Sequence, residues 1–137
     1  MSTVIDRLVQ AVNRHDLEGL VSCFSDDYVN ETPAHPLRGF TGHDQVRANW
    51  TRIFGAVRDV EAAVLDRAEN DDTDRTEWEM SGTRSEDGGR FLMRGVVIFT
   101  VRGAVISSAR FYLEPVEVTS GDVDVHTQRV VSGKEST

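Results

Sequence analysis

The sequence predicts an α+β domain in which three amphipathic helices precede and cover a curved antiparallel meander of four strands. Up to Val57 the apolar residues recur at helical spacing, and beyond Asp59 they alternate with polar ones at a period of two. Tight-turn sequences then cut the second half into strands: Asn70-Asp71-Asp72, Asp87-Gly88-Gly89 and Arg102-Gly103-Ala104 tolerate the positive φ that hairpins need.

The elements follow in order. Val4, Ile5, Leu8, Val9 and Val12 make the stripe of a first helix that stops near His15. Asp16 caps a second, short helix carrying Leu17, Leu20, Val21 and Phe24 on one face and ended by Ser25-Asp26-Asp27. Residues 28–32 read as a strand broken by Pro33, and Pro36 keeps the next stretch in loop. Thr41 with Asp44 approximates a capping box for a third helix, whose buried stripe is Val46, Trp50, Ile53, Phe54 and Val57. Strands are expected over 60–68, 75–83, 90–101 and 105–114. Residues 1–115 are expected to form the domain. Residues 116–137 read as a polar C-terminal extension, an edge strand followed by a disordered tail.

Composition narrows the function classes. The chain has 137 residues, the size of one domain, with 39% hydrophobic and 28% charged residues, an ordinary globular balance. Fifteen lysines and arginines against 23 aspartates and glutamates leave a net charge of −8, which repels phosphate backbones and anionic lipid. Neither nucleic acid nor a membrane is expected as a partner. Apolar runs fall short of a membrane span and no signal segment is visible, so a soluble cytoplasmic protein is expected. Cys23 is the single cysteine and reads as a small buried hydrophobe. Seven acids between Asp66 and Glu79 read as a solvated hairpin. The four histidines lack the close pairing that a zinc or iron site requires, and no phosphate loop or nucleophile elbow is present. No metal and no cofactor are expected.

Several motifs resemble, taken together, the nuclear transport factor two-like superfamily, which includes the SnoaL-like polyketide cyclases and ketosteroid isomerase. They are Asn13-Arg14-His15-Asp16-Leu17-Glu18-Gly19-Leu20, Phe24-Ser25-Asp26-Asp27-Tyr28-Val29, Gly39-Phe40-Thr41-Gly42-His43-Asp44-Gln45-Val46, Arg94-Gly95-Val96-Val97-Ile98-Phe99 and Arg110-Phe111-Tyr112-Leu113-Glu114-Pro115. The resemblance implies a cone, a bent sheet wrapped around a pocket for a small hydrophobic molecule and closed by the N-terminal helices. It also implies a homodimer formed through the outer face of the sheet. Matched to ketosteroid isomerase, the phenolic donor position falls on Leu8, the base on Thr32 and the second donor on Gly95. None of these side chains can perform those roles. Matched to the cyclases, the acid position falls on Glu114.

On one strand parity Arg110, Tyr112 and Glu114 share the face that lines the pocket; on the other, Ala109, Phe111 and Leu113 do. The first parity gives a cofactor-free isomerase, cyclase or dehydratase working by proton transfer next to a carbonyl. Glu114 is then the acid or base, and Tyr112 or His35 the donor to the enolate. Glu31, four residues before His35, is a possible partner for it, although His35 also reads as an exposed loop residue. Glu31, Trp50, Phe54, Met93, Val97, Phe99 and Arg110 are the expected pocket lining. The alternative is a non-catalytic ligand-binding or dimerisation module.

Overall fold

Residues 3–118 and 120–133 are described by the computed structural model of the chain. The first apolar stripe forms helix α1, Thr3–Asn13, with Val4, Ile5, Leu8, Ala11 and Val12 all buried. Its end is fixed by side chains. Asn13 behaves as an extra strand residue: its Nδ2 donates to the Ala62 carbonyl at 3.0 Å and its Oδ1 accepts from the Ala62 N–H at 2.7 Å. Asp16 caps α2, Leu17–Val21, by accepting from the Gly19 N–H. The second helix is shorter than the sequence pattern suggested, because Phe24 already belongs to strand β1, Phe24–Glu31.

A single 3-10 turn over Pro36–Arg38 leads to β2, Phe40–Thr41, and α3, His43–Ala56. The expected capping box at Thr41 does not form. Thr41 is taken up in β2, paired with Val29, and Gly42 caps the helix without a side-chain bond. Four long strands follow: β3 Glu61–Asn70, β4 Thr73–Thr83, β5 Arg90–Arg102 and β6 Val105–Pro115. Their hairpins turn through Asp71, Gly88 and Gly103, each at positive φ, as the turn chemistry required. Val123–Ser132 is a helix, α4, capped by Asp122, and not the expected edge strand. The last residues of the expected tail, 134–137, lie outside the described residues.

The sheet has six strands in the order β2-β1-β6-β5-β4-β3. All neighbours are antiparallel except β1 and β6, which run parallel with Asn30 opposite Ala109 and Glu31 opposite Arg110. The sheet is curved, mixed and unclosed. Its concave face carries Trp78, Met80, Val97, Phe99, Ile106 and Ala109 into one core with α1 and α3. Gly95 sits on β5 between Trp78 and Leu113 at φ 154°. A Cβ there would collide with the Tyr112 carbonyl oxygen, so only glycine lets β5 and β6 approach this closely.

A register shift between Val64 and Asp66 reverses the faces of β3 and turns Arg67 inward. There it bonds Asp74, which is 1% exposed, at 2.7 Å and Asp6 of α1 at 2.9 Å. One of the acids read as solvated is therefore buried and paired.

Replacing Gly95 with alanine is expected to lower unfolding free energy by about 3 kcal/mol in urea denaturation, the range for a side chain forced into a special backbone site. Arg67→Ala should cost about 3–5 kcal/mol in the same measurement, because it strands the buried Asp74 carboxylate.

Candidate functional site

The concave face and the helices enclose a cavity of 340 Å³. Leu8 and Val12 of α1, Val46, Trp50 and Ile53 of α3, and Phe24, Trp78, Met80, Val97 and Phe99 form its buried and half-buried apolar walls. Phe91, Met93, Leu113, Asn49 and the exposed Arg38 mark the end open to solvent. Trp50, Met93, Val97 and Phe99 are among the lining residues. Phe54 stands behind, its ring 5.5 Å from Trp50 and 5.2 Å from His15.

The polar lining comes from β1 and the residue after it, where the sequence pointed to Glu31 and Thr32 but not to Tyr28 or Asn30. On β1 and just beyond it, residues 28, 30 and 32 share the inner face, because the parallel pairing sets Asn30 beside the buried Ala109. The Tyr28 hydroxyl donates to Asn30 Oδ1 at 2.7 Å, and Asn30 Nδ2 donates to Thr32 Oγ1 at 3.4 Å. This leaves the second Asn30 N–H and the Thr32 hydroxyl proton free of these bonds. Burial pushes the Tyr28 phenol well above its usual range, so it stays a neutral donor. Edge contacts with Phe24 at 4.7 Å and Phe40 at 6.0 Å hold the ring in place. Deeper in, Trp78 Nε1 donates to Thr76 Oγ1, which donates to the Val97 carbonyl; both bonds are internal to the wall.

The expected catalytic strand faces the other way. Phe111 and Leu113 line the cavity and Ala109 is buried, opposite Val97, Gly95 and Phe99 respectively. Arg110 and Tyr112 therefore stand on the outer face opposite Ile98 and Val96, and Glu31 joins Arg110 there. The reason is parity: β6 keeps continuous register with β5 from Met93–Pro115 to Thr100–Ser108, and Val97 and Phe99 are committed to the core. Glu31, Arg110 and Tyr112, expected at the pocket, are therefore not among the residues that line this cavity.

Glu114 also leaves the cavity lining, but its position is informative. His35 Nε2 contacts Glu114 Oε1, and Arg38 Nη1 stands 3.7 Å from Glu114 Oε2. The loop after β1 and the end of β6 are brought together by the same parallel pairing, so His35 meets Glu114, not Glu31. Of the other histidines, His15 bonds the Val60 carbonyl and His43 pairs with Asp26. Among the described residues, no group of three or more His, Cys, Asp or Glu is placed to hold a metal ion.

The SnoaL-like domain family matches residues 5–109. The chain belongs to this family. Solved structures share the fold at low identity. AclR of Streptomyces galilaeus, assigned as a hydroxylase, is 14% identical with a TM-score of 0.76, over 97% of this chain and 96% of its own. IdmH of Streptomyces antibioticus, assigned as a polyketide cyclase, is 22% identical with a TM-score of 0.70, over 80% and 88%. RV0760c of Mycobacterium tuberculosis, solved with estradiol-17β-hemisuccinate, is 21% identical with a TM-score of 0.68, over 80% and 89%. No curated protein sequence matches the chain. Within this SnoaL-like domain, Leu8 and Thr32, the positions matched to the isomerase donor and base, both line the cavity. They supply an alkyl chain and a hydroxyl.

Because Tyr28 is neutral when folded and titrates near pH 10 when unfolded, its own contribution to stability should be constant below that pH and fall as pH rises above it. Absorbance titration is expected to show Tyr28 ionising only together with alkaline unfolding, and Tyr28→Phe to remove that step. A phenolate appearing in the folded protein near pH 10, and lost in Tyr28→Phe, would contradict it.

Proposed function

We propose that this SnoaL-like domain binds a small hydrophobic molecule inside the cone and holds it by apolar contact plus a short neutral hydrogen-bonding edge. The observation that carries this reading is the lining itself: aromatic and aliphatic walls, with Tyr28, Asn30, Thr32 and Asn49 as neutral polar groups and no carboxylate or imidazole among the lining residues. A ligand that fills such a wall recovers about 25 cal/mol for each square ångström of apolar surface taken from water. The polar edge sets its orientation. The steroid ester held by RV0760c supports a polycyclic ligand of this kind.

A second reading keeps catalysis. The His35–Glu114 contact lies beside Arg38, which does line the cavity, so a ligand reaching the mouth meets an imidazole and a carboxylate. Cofactor-free proton transfer next to a carbonyl is the chemistry that pair would supply, with Glu114 as base.

We also propose a homodimer through the outer face of the sheet. Val96 and Tyr112 are 40% and 43% exposed at its centre, and the charged row Glu114, Arg94 and Glu79 runs beside them. Arg94 and Glu79 are bonded at 2.8 Å within that row.

Both tryptophans, Trp50 and Trp78, line the cavity, so intrinsic fluorescence reports its occupancy. A panel of steroids and aromatic polyketides is expected to include compounds that change this signal saturably. Leu113→Trp, which fills the cavity, should weaken them by about tenfold or more, or about 1.4 kcal/mol. Turnover that Glu114→Gln abolishes would favour the second reading; binding without turnover favours the first. In sedimentation the wild type is expected as a dimer and Val96→Lys as a monomer, and a monomeric wild type at micromolar concentration would remove the dimer proposal.

A further inference from the structure

We infer that the ligand of this cavity ends in a single carboxylate, received at the mouth by Arg38. The inference rests on the binding reading above and names its ligand class. Arg38 is the one charged side chain that lines the cavity among the described residues. It is carried on the Pro36–Arg38 turn, whose position is set by the Arg38 N–H donating to the His35 carbonyl and the Gly39 N–H to that of Pro36.

Its guanidinium is held only loosely. Among the described residues it makes no hydrogen bond, and its ion pair with Glu114, at 3.7 Å, is too long to use up an N–H donor. Glu114 is instead drawn to His35 through its other oxygen. His35 therefore acts as a positioning residue that keeps the neighbouring carboxylate occupied and leaves the arginine donors to a ligand.

The anion's chemistry follows from its surroundings. A guanidinium offers a planar fork of parallel N–H groups that matches a carboxylate in two bonds. A phosphate dianion would need more donors than one arginine supplies. It would also meet Glu114 and a chain of net charge −8. The rest of the lining adds no second cation, so one negative charge on an apolar body fits this mouth.

The probes are matched pairs that differ only in charge: estradiol-17β-hemisuccinate with its methyl ester, and naphthylacetate with its methyl ester. Affinity is read from tryptophan fluorescence on the full chain. The acids are expected to bind the wild type about tenfold tighter than their esters, the worth of one charge-assisted pair. Arg38→Met, at a side chain 61% exposed and so outside the core, should remove that preference while ester affinity stays within about twofold. Glu114→Gln, which deletes the competing anion, should tighten the acids and not the esters. His35→Gln, which frees Glu114 to turn onto Arg38, should weaken the acids alone.

Equal affinity of acid and ester in the wild type, or a preference that survives Arg38→Met, overturns the carboxylate inference and leaves the binding reading standing. If neither pair binds while neutral polycyclic compounds from the panel do, the inference also fails and the binding reading stands. If no compound of any kind changes the signal, both fail together.

Discussion

The parallel pairing of β1 with β6 is the constraint on which the remaining structure depends. It is the one parallel contact in the described sheet, and it joins residues some eighty positions apart in the chain. Setting Asn30 against Ala109 turns Tyr28, Asn30 and Thr32 toward the helices and so creates the polar edge of the cavity. The same pairing carries the loop after β1 to the end of β6, where His35 meets Glu114 and Arg38 reaches the mouth. A slip of one residue would exchange the faces of β1 and replace that edge with Val29 and Glu31.

The curvature that makes a cavity out of a sheet is bought locally. Gly95 removes a side chain where β5 passes β6, and the shift after Val64 reverses β3 so that Arg67 can join Asp74 and Asp6. That ion cluster ties α1 to the β3–β4 hairpin at one end, while Asn13 clamps the other end of α1 to Ala62. Between these two attachments Leu8 and Val12 are held against the cavity and do not collapse into it. An apolar wall kept open in this way forgoes contact with its opposite side, contact that a molecule filling the cavity would supply.

Most of the SnoaL-like architecture was legible because it follows from periodicity and turn chemistry. The helix stripes, the four long strands and their hairpins all rest on interactions within a few residues, and the structure has each of them within a few positions of the sequence reading. The candidate site was less legible. Trp50, Met93, Val97 and Phe99 could be read as lining because large apolar residues on a covered face have nowhere else to go. Tyr28, Asn30 and Thr32 alternate at a period of two, which was the available signal, but nothing local to the segment says which face is inner. Arg38 in a Pro-containing loop carried no periodic signal at all. On β6 the alternation of Arg110, Tyr112 and Glu114 was plain and its direction was not.

The sequence by itself therefore determined the first three helices, the strand that follows the second, the four long strands and their order. It also determined the apolar character of the residues facing the helices and the mismatch of Leu8, Thr32 and Gly95 with isomerase chemistry. The tertiary structure alone decided the parity of β6, the inward turn of Arg67 and the meeting of His35 with Glu114. The physical reason is the same in each case. Local propensity and alternation fix how a segment is shaped, whereas the face it presents is set by a strand partner distant in the chain, and by bulges that shift the register by single residues.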